Sequence, residues 1–363
     1  MIVILVFAVF ILTAIGAHLY VFTRMRNFVW VKRLAGESKA KSRLIRAPFV
    51  LAMALWCVFD LVPAVIAVVH LLFFWLVSDF VGWIVNKISK REFRFYWQGA
   101  VALVVTAVYL ICGWYFAHHV YETDYTLATA KELPGGHLRV VVIADSHIGC
   151  TFDGEGFAAH MKEIEQAHPD LLVIVGDFVD DDTKRADMEK ACAALGEMKT
   201  TYGIYYVYGN HDPGYSDSRD FTAADMEAEL EKNHVTVLKD ESVLLADSVY
   251  VVGRRDRSSG DRLSMKDLTK GLDPAKYMIV LDHQPHDFAA QEAAGADLVL
   301  CGHTHGGQMF PIGITGELSG ANEKTYGLET RGNTNYIVTS GISDWAIPYK
   351  TAAIAEYVII DIR

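Results

Sequence analysis

Hydrophobic and polar positions follow two different patterns along this chain, and the first pattern consists of long apolar runs. Residues 1–22 contain no Lys, Arg, Asp or Glu, and residues 47–86 and 98–117 are almost as apolar. As a helix rising about 1.5 Å per residue, a run of 20 residues crosses a hydrocarbon core of roughly 30 Å. Residues 47–86 would extend about 60 Å as one helix, so two spans fit better. The pattern therefore predicts a transmembrane region of about four helices within residues 1–119.

Cations between these runs predict the orientation of the spans. Eight Lys or Arg residues fall between Arg24 and Arg46, and four more between Lys87 and Arg94. Because short loops rich in Lys and Arg stay in the cytoplasm, both segments should lie there, and everything after His118 should lie outside. If residues 47–86 cross only once, the rest of the chain lies inside. The first run lacks the basic start of a cleavable signal peptide.

The second pattern begins at residue 138, where short β-rich apolar runs alternate with amphipathic helical stretches. The runs predict buried strands at 138–144, 171–175, 204–208, 277–281 and 298–301, with shorter strands at 235–238, 243–246, 249–252, 336–339 and 353–360. Helices are predicted around 157–168, 184–198, 222–232 and 286–294. This alternation indicates an α/β domain, to which we assign residues 120–363.

Charge and composition agree with this division. Residues 1–119 hold 12 Lys or Arg and 4 Asp or Glu, a net charge of +8, whereas residues 120–363 hold 21 and 40, a net charge of −19. Such an acidic domain argues against nucleic-acid binding, which needs a positive surface. The five cysteines form no CxxC pair, which makes a disulfide framework or a zinc ribbon improbable, and Cys150, Cys192 and Cys301 are expected to be small core residues.

Residues able to bind metals follow five of the predicted strands. They are Asp145 and His147, Asp177, Asn210 and His211, His283, and His303 and His305. In open α/β sheets ligands bind at the carboxyl ends of strands, so these side chains can converge on one site although 160 residues separate the first from the last. Carboxylate and amide oxygens combined with imidazole suit Mn, Fe or Zn.

These blocks resemble the signature of the calcineurin-like metallophosphoesterase superfamily, which is D-x-H, G-D-x-x-D, G-N-H-D/E, a single His, and G-H-x-H. All five occur in order between residues 145 and 305, and the sequences GHTHGGQ at 302–308 and GISDWAIP at 341–348 resemble its bacterial membrane-associated branch. The resemblance implies a β-sandwich flanked by helices and two divalent cations. It implies that Asp145, His147 and His305 bind one ion, that Asn210, His283 and His303 bind the other, and that Asp177 bridges them.

The resemblance also implies roles for three further residues. His211 resembles the non-ligand histidine that stabilises the transition state or protonates the leaving alkoxide, work that suits a pKa near neutrality. Asp180 and Asp212 resemble groups that orient ligands or His211, although turn residues capping the next segments are as reasonable an interpretation. Glycines beside Asp177, Asn210 and His303 are expected to allow sharp turns and close approach of substrate.

Several other positions allow two interpretations. Asp60 and Asp79 are either functional intramembrane carboxylates or residues near a turn or paired with another helix. Arg254, Arg255 and Arg257 either bind a negative group of the substrate or form a solvent-facing loop. Phe310, Trp345 and Tyr349 are either an apolar rim for a lipid or sugar, or core residues. Asp180, Asp181 and Asp182 are expected to be a solvated loop.

The expected function is hydrolysis of a phosphomonoester, phosphodiester or pyrophosphate bond by a multi-pass protein of the cell membrane. No nucleophilic Ser or Cys with a base occurs in the blocks, so no phosphoenzyme is expected. Anchoring in a bilayer suggests a lipid-linked or envelope substrate. The rival hypothesis is a non-catalytic transporter or scaffold whose domain only binds metal or phosphate, and its mark would be a lost ligand; a nuclease is a second rival, disfavoured by the acidic domain.

Overall fold

The computed structural model describes residues 2–90, 95–216, 218–310 and 312–363, with the side chains of residues 2–10 and 312 excepted. Two compact units can be distinguished, Met1–Cys112 and Gly113–Arg363. Their border lies within a helix, so the last turns of that helix belong to the second unit. The predicted domain border at residues 119 and 120 stays a prediction.

The first unit consists of helices. They are α1 (Ile2–Arg24), α2 (Val29–Ala35), α3 (Lys39–Phe59), α4 (Leu61–Ser89) and most of α5 (Trp97–His118). Among the described residues, α3, α4 and α5 are long and apolar enough to cross a membrane. The predicted first span forms α1, but most of its apolar side chains lie outside the described residues.

A helix break falls at Asp60, within residues 47–86, where the sequence predicts two spans. This residue has φ −149° and ψ 83°, which ends α3 and precedes α4. Pro63 lies in the first turn of α4, where a missing backbone N–H costs no helical hydrogen bond. Asp60 is therefore a residue at a turn.

Asp79 lies at the centre of a polar cluster within the first unit. Its carboxylate accepts hydrogen bonds from the hydroxyls of Tyr20 at 2.5 Å and Tyr96 at 2.7 Å, and lies 2.5 Å from the Arg24 guanidinium. Because every carboxylate in a low-dielectric environment needs such partners, this network ties α1 to α4 and to the segment before α5. The structure thus favours pairing with another helix for Asp79.

The second unit contains two six-stranded sheets. Neighbours in the first sheet run β1 (Val120–Leu127), β12 (Ala355–Ile362), β2 (Leu138–Ile143), β3 (Leu171–Val175), β4 (Ile204–Val207) and β5 (Val235–Val237). Neighbours in the second run β10 (Gly327–Arg331), β11 (Thr334–Val338), β9 (Leu298–Cys301), β8 (Tyr277–Leu281), β7 (Val249–Gly253) and β6 (Glu241–Leu245). Strands β2 to β5 pair in parallel, as do β7, β8, β9 and β11.

The core of this unit is layered. Val140 and Val142 pack with residues of the second sheet, whereas Val141 and Ile143, on the opposite face of β2, pack against helices. Both faces of such a strand are buried, which explains its continuous apolar sequence. Helices α6 (Gly154–Ile164), α7 (Arg185–Glu197) and α8 (Ala223–Lys232) cover the first sheet, while α9 (Met265–Leu268) and α10 (Phe288–Ala293) cover the second. The predicted β-sandwich flanked by helices is confirmed.

Five helices and strands were not predicted, including the short helices α2 and α9. Strands β1 and β10 each lie at the edge of a sheet and have mixed sequences that include consecutive polar residues, and the short helix α11 (Ile312–Leu318) is rich in glycine. One prediction about the core is also wrong. Cys192 and Cys301 are buried as expected, but Cys150 is exposed, since it lies on the loop after β2 rather than in a strand.

Candidate metal centre

Five strands end at one edge of the sandwich, and each is followed by polar side chains. Strands β2, β3 and β4 of the first sheet, and β8 and β9 of the second, each end one to three residues before a predicted ligand. Parallel strands align their carboxyl ends, so residues distant in sequence meet there. Seven predicted ligands are distributed over these five strand ends.

Asp145, His147 and His305 form the first group. Each offers a ligand atom, and these atoms lie within 4.8 Å of one another. The two imidazole rings stack with centroids 5.1 Å apart, and His305 Nε2 lies 4.0 Å from Asp145 Oδ1. All three side chains are buried. A buried carboxylate facing two imidazoles is a ligand set suited to a borderline divalent cation.

Asp177, His283 and His303 form the second group by the same distance criterion. His283 Nε2 lies 3.1 Å from Asp177 Oδ2, while its Nδ1 lies 2.8 Å from the carbonyl of Val175. That second contact fixes the ring so that Nε2 faces Asp177. Asp177 Oδ2 also lies 3.7 Å from His147 Nε2, so this carboxylate stands between the two groups.

Buried ligand atoms without a hydrogen bond show that the two groups fit a pair of cations. Nε2 of His147, Nε2 of His283 and Oδ1 of Asn210 are buried and make none. Asn210 directs its other amide atom away, since Nδ2 donates to the Tyr215 hydroxyl at 2.8 Å. Unsatisfied buried polar atoms are costly, and several within one cluster of oxygen and imidazole ligands are most simply explained by metal coordination.

The backbone around the site is strained. Five of the predicted ligands have positive φ, namely Asp145 at 53°, His147 at 34°, Asp177 at 51°, His303 at 71° and His305 at 50°. Each such residue costs of order 1–3 kcal/mol and persists only where the surroundings impose it. This concentration of positive φ at ligand positions supports a functional site.

Glycines make room for the ligands at the strand ends. A Cβ added to Gly209 would lie 2.2 Å from Asp177 Oδ1, and one added to Gly302 would lie 2.5 Å from Asp145 Oδ2. Gly176 has φ +80° and supplies the turn before Asp177. A Cβ added to Gly341, which the sequence indicated only through its GISD motif, would lie 2.7 Å from the Cβ of Asp145.

Burial and neighbouring charges favour the metal-binding protonation states of His147, His303 and Asp177. Burial lowers the pKa of His147, and burial together with the nearby His283 lowers that of His303 to about 4. Burial opposes ionisation of Asp177, but His283 and His147 hold the pKa of its carboxyl well below the usual range. His283 differs, because burial is outweighed by the Asp177 carboxylate, which raises the pKa of this imidazole well above its usual value. Neutral imidazole and ionised carboxylate are the ligand forms.

His211 lies beside both groups. Its backbone N–H donates to Asp177 Oδ1 at 2.8 Å, and its Nδ1 lies 3.0 Å from Asp180 Oδ1. Although burial lowers the pKa of this imidazole, the Asp180 carboxylate raises it above the usual value. Asp180 also approaches His147, at 3.4 Å, so it faces the site instead of forming a solvated loop.

Asp212 contacts the backbone, not the His211 ring. Its two oxygens accept hydrogen bonds from the N–H groups of Gly209, Asp177, Phe178 and Val179, at 2.6 to 3.2 Å. One buried carboxylate thereby holds the β3 and β4 loops together. Its place fits the turn interpretation as well as it fits orientation of Asp177.

Asp344 and Lys350 contribute to the site, and the sequence did not indicate either role. Both are buried, and Asp344 Oδ1 lies 3.6 Å from His305 Nδ1 and 3.3 Å from Lys350 Nζ. The ammonium also donates to the carbonyls of Ser340 at 2.7 Å and Ser343 at 3.3 Å. They lie on an irregular loop between β11 and β12, where no periodicity could predict them.

Arg254, Arg255 and Arg257 lie in different environments. Arg254 is buried and pairs with Asp282 and Asp287, both at 3.1 Å, and Arg255 pairs with Asp261 at 2.7 Å. Only Arg257 of the three is exposed. A solvent-facing loop is therefore wrong for Arg254, because two carboxylates draw its guanidinium into the interior.

Comparison with known proteins agrees with this geometry. The family model of the calcineurin-like phosphoesterases matches residues 138–307. A transmembrane protein with metallophosphoesterase domain from Danio rerio is 30% identical over 285 residues, covering 75% of this chain and 63% of its own length. An uncharacterized metallophosphoesterase of Campylobacter jejuni is 28% identical over 309 residues, covering 81% of this chain and 78% of its own.

A third relative covers almost its whole length. An uncharacterized metallophosphoesterase of Aquifex aeolicus is 30% identical over 248 residues, which are 66% of this chain and 90% of that protein. This chain spans less than two thirds of the Danio rerio relative but nearly all of the Aquifex one. Sequence likeness extends over the domain that carries all seven predicted ligands. The chain therefore belongs to the calcineurin-like phosphoesterase family.

Proposed function

We propose that this protein is a membrane-anchored, metal-dependent phosphoester hydrolase that uses two divalent cations. The observation that carries the proposal is the position of Asp177, whose Oδ2 lies 3.1 Å from His283 and 3.7 Å from His147, between two groups of ligands. A carboxylate can offer one oxygen to each of two cations. Asp145, His147 and His305 would hold one ion, and Asn210, His283 and His303 the other, with Asp177 shared.

When bound, two such cations would lower the pKa of a water molecule and polarise the phosphoryl group. The residues of this chain do the remaining work. The buried ligands fix the site before substrate arrives, so little reorganisation accompanies reaction. His211, held by Asp180, stands at the cavity where a leaving group would need a proton.

The proposal also concerns the bond that is cut, the identity of the metal ions and the location of the protein. Monoester, diester and pyrophosphate substrates all remain within it, as do Mn, Zn and Fe. We place the protein in the cell membrane as a multi-pass protein, with its hydrolase domain outside the cytoplasm and a lipid-linked or envelope phosphoester as substrate. Support comes from the three apolar helices and from the membrane naming of the Danio rerio relative.

The non-catalytic rival receives no comparable support. All seven predicted ligands are present, and Asp79, which had favoured transport, is paired with Arg24 and two tyrosine hydroxyls.

The test uses the full chain in detergent, stripped of metal and then titrated with Mn, Zn or Fe. Release of 4-nitrophenol is measured from an aryl phosphomonoester and from an aryl phosphodiester. We expect metal-dependent turnover that falls by at least about 100-fold in Asp177→Asn and His211→Ala, since even residues that only support a ligand typically contribute 10–100-fold.

His160→Ala is the matched control, because His160 lies on the half-exposed face of α6 outside the site. It should behave as wild type. Two bound metals per chain with no turnover of either aryl substrate, nor of phosphatidic acid or phosphatidylglycerol in vesicles, would refute the proposal. So would wild-type turnover by Asp177→Asn.

A further inference from the structure

Large apolar side chains are exposed unevenly in the second unit. Ten large apolar side chains are exposed among its described residues. Three of them are leucines scattered over the surface, at 244, 263 and 328. Isolated exposed leucines are ordinary in soluble domains. The other seven occur in two places only, which makes their positions informative.

The first place is the mouth of the metal site. Tyr215 and Trp345 line a cavity of about 500 Å³ together with His211 and four of the predicted ligands. Phe310, Ile314 and Leu318 belong to the segment that also contributes Thr315 and Gly316 to that cavity. The exposed fractions are 66% for Tyr215, 44% for Trp345, 61% for Phe310, 53% for Ile314 and 81% for Leu318. We call these five side chains the apolar rim.

The core interpretation of two aromatic residues is thereby excluded. Phe310 and Trp345 are exposed, so they are not core residues, and Tyr349 is half-buried. Several apolar side chains gathered around one cavity mark an interaction site rather than chance exposure.

The second place is the end of helix α5, where Trp114 and Tyr115 are about half exposed. Helix α5 is one of the three helices apolar enough to cross a membrane. Trp and Tyr are enriched where such a helix leaves the hydrocarbon, because their rings suit the headgroup level. The turn that carries Trp114 therefore marks the bilayer surface.

Hydrogen bonds within the second unit join these two places. The backbone N–H of Lys350 donates to the carbonyl of Gly113 in α5 at 2.9 Å. On the same loop, the carbonyl of Trp345 accepts from Gln308 Nε2 at 3.0 Å. The N–H of Phe310 donates to Thr351 Oγ1 at 3.2 Å. The loops that carry Trp345 and Phe310 are thus attached to the turn of α5 that carries Trp114.

We infer that the apolar rim rests on the bilayer and receives the hydrocarbon part of an amphipathic phosphoester, whose phosphate lies at the metal cavity. This inference rests on the proposed function for the bond that is cut. Continuity with a membrane-crossing helix favours lipid over a protein partner. The domain has a net charge of −19, so apolar contact rather than attraction to anionic lipid would hold the rim there.

The first experiment does not depend on turnover. The full chain is placed in phosphatidylcholine vesicles with and without bromine on the acyl chains, and the fluorescence of Trp345 is obtained as wild type minus Trp345→Phe. We expect brominated lipid to quench this contribution. If it is equally bright in both vesicles, the inference is wrong. Protection from acrylamide without quenching by bromine would also overturn it, in favour of a protein occupant.

The second experiment compares substrates that differ only in their hydrocarbon. Methyl and dodecyl 4-nitrophenyl phosphodiesters are used, or methyl and dodecyl phosphate if only monoesters are cut. We expect kcat/KM to be at least about tenfold higher for the dodecyl compound, and Leu318→Ser and Ile314→Ser to reduce that ratio. Leu263→Ser, an exposed leucine away from the cavity, should keep it.

The two experiments separate this inference from the proposed function. Turnover with no preference for dodecyl over methyl would leave the hydrolase intact and refute the rim as a hydrocarbon site. Quenching of Trp345 with no turnover of any substrate would refute the hydrolase while the contact with lipid stands.

Discussion

At the scale of single residues, the site depends on groups that do not themselves face the cations. Asp344 lies 3.6 Å from the Nδ1 of His305, the nitrogen that points away from Asp145. Metal-binding histidines commonly present their second nitrogen to a carboxylate, which fixes the ring and strengthens it as a ligand. Lys350 neutralises that carboxylate in a fully buried position. The Asp344–Lys350 ion pair thus lies next to His305, on the side of the ring that faces away from Asp145.

Asp344→Asn should weaken binding at one metal site by about 10–100-fold and leave the other site unchanged. An amide still fills the space but cannot act as the anionic partner of His305. Calorimetric titration of the metal-free protein with Zn checks this, and Asp361→Asn, at a half-exposed carboxylate paired with Arg139, is the control. If Asp344→Asn binds Zn at each site with the same affinity as wild type, Asp344 does not support His305.

Some residues of this site could be predicted from the sequence and others could not. Asp145, Asp177 and His283 follow buried strands whose apolar runs are easily recognised, so their convergence could be predicted. Asp344 and Lys350 lie on an irregular loop, and their contact with His305 depends on the path of that loop. No local pattern encodes such a path.

At the scale of elements, the same distinction applies to strands. Strands β2, β3, β8 and β9 are buried on both faces and were predicted from continuous apolar residues. Strands β1 and β10 lie at sheet edges, with one face open to solvent, and their mixed sequences resemble loops. Pairing with β12 and β11, not their own composition, makes them strands.

Close packing of the strand ends predicts that Gly209→Ala disables the site. The new methyl carbon would lie 2.2 Å from Asp177 Oδ1 and 2.4 Å from the Asp177 backbone nitrogen. Because both belong to a buried loop held by Asp212, they cannot move aside without shifting the carboxylate. We expect loss of at least one bound metal per chain, measured by elemental analysis.

Gly260→Ala is the matched control for that substitution. No atom lies within 4 Å of a Cβ added there, so metal content should equal that of wild type. Two metals per chain in Gly209→Ala would mean that the β4 loop adapts and that close packing around Asp177 is not required.

The helices of the first unit have their own polar link. Asp79→Asn removes the charge that pairs with Arg24 and weakens the hydrogen bonds from Tyr20 and Tyr96. Leaving these groups poorly satisfied should cost about 1–3 kcal/mol. The midpoint of thermal unfolding in detergent should fall relative to wild type and to Asp60→Asn, since Asp60 is exposed at the helix break. Equal midpoints for the two variants would contradict this account.

At the scale of the whole molecule, charge separates along the chain as hydrophobicity does. Residues 1–119 carry a net charge of +8 and residues 120–363 one of −19. The basic residues of the first part occur mainly between apolar helices, and the acidic residues lie mainly in the α/β unit. This division could be predicted from composition, whereas the side of the membrane depends on how many times residues 47–86 cross.

The helix break at Asp60 bears on how many times residues 47–86 cross the membrane. It divides residues 47–86 between α3 and α4, so two crossings are available and the two cationic segments can share one side. We therefore expect a reporter active only in the cytoplasm to be inactive when fused to Arg363, and one active only outside to be active there. The same reporters fused after Ser38, in the first cationic segment, should give the opposite result. Cytoplasmic activity at both Ser38 and Arg363 would place the metal centre inside. It would require an even number of crossings between these two residues, so α3, α4 and α5 could not all span.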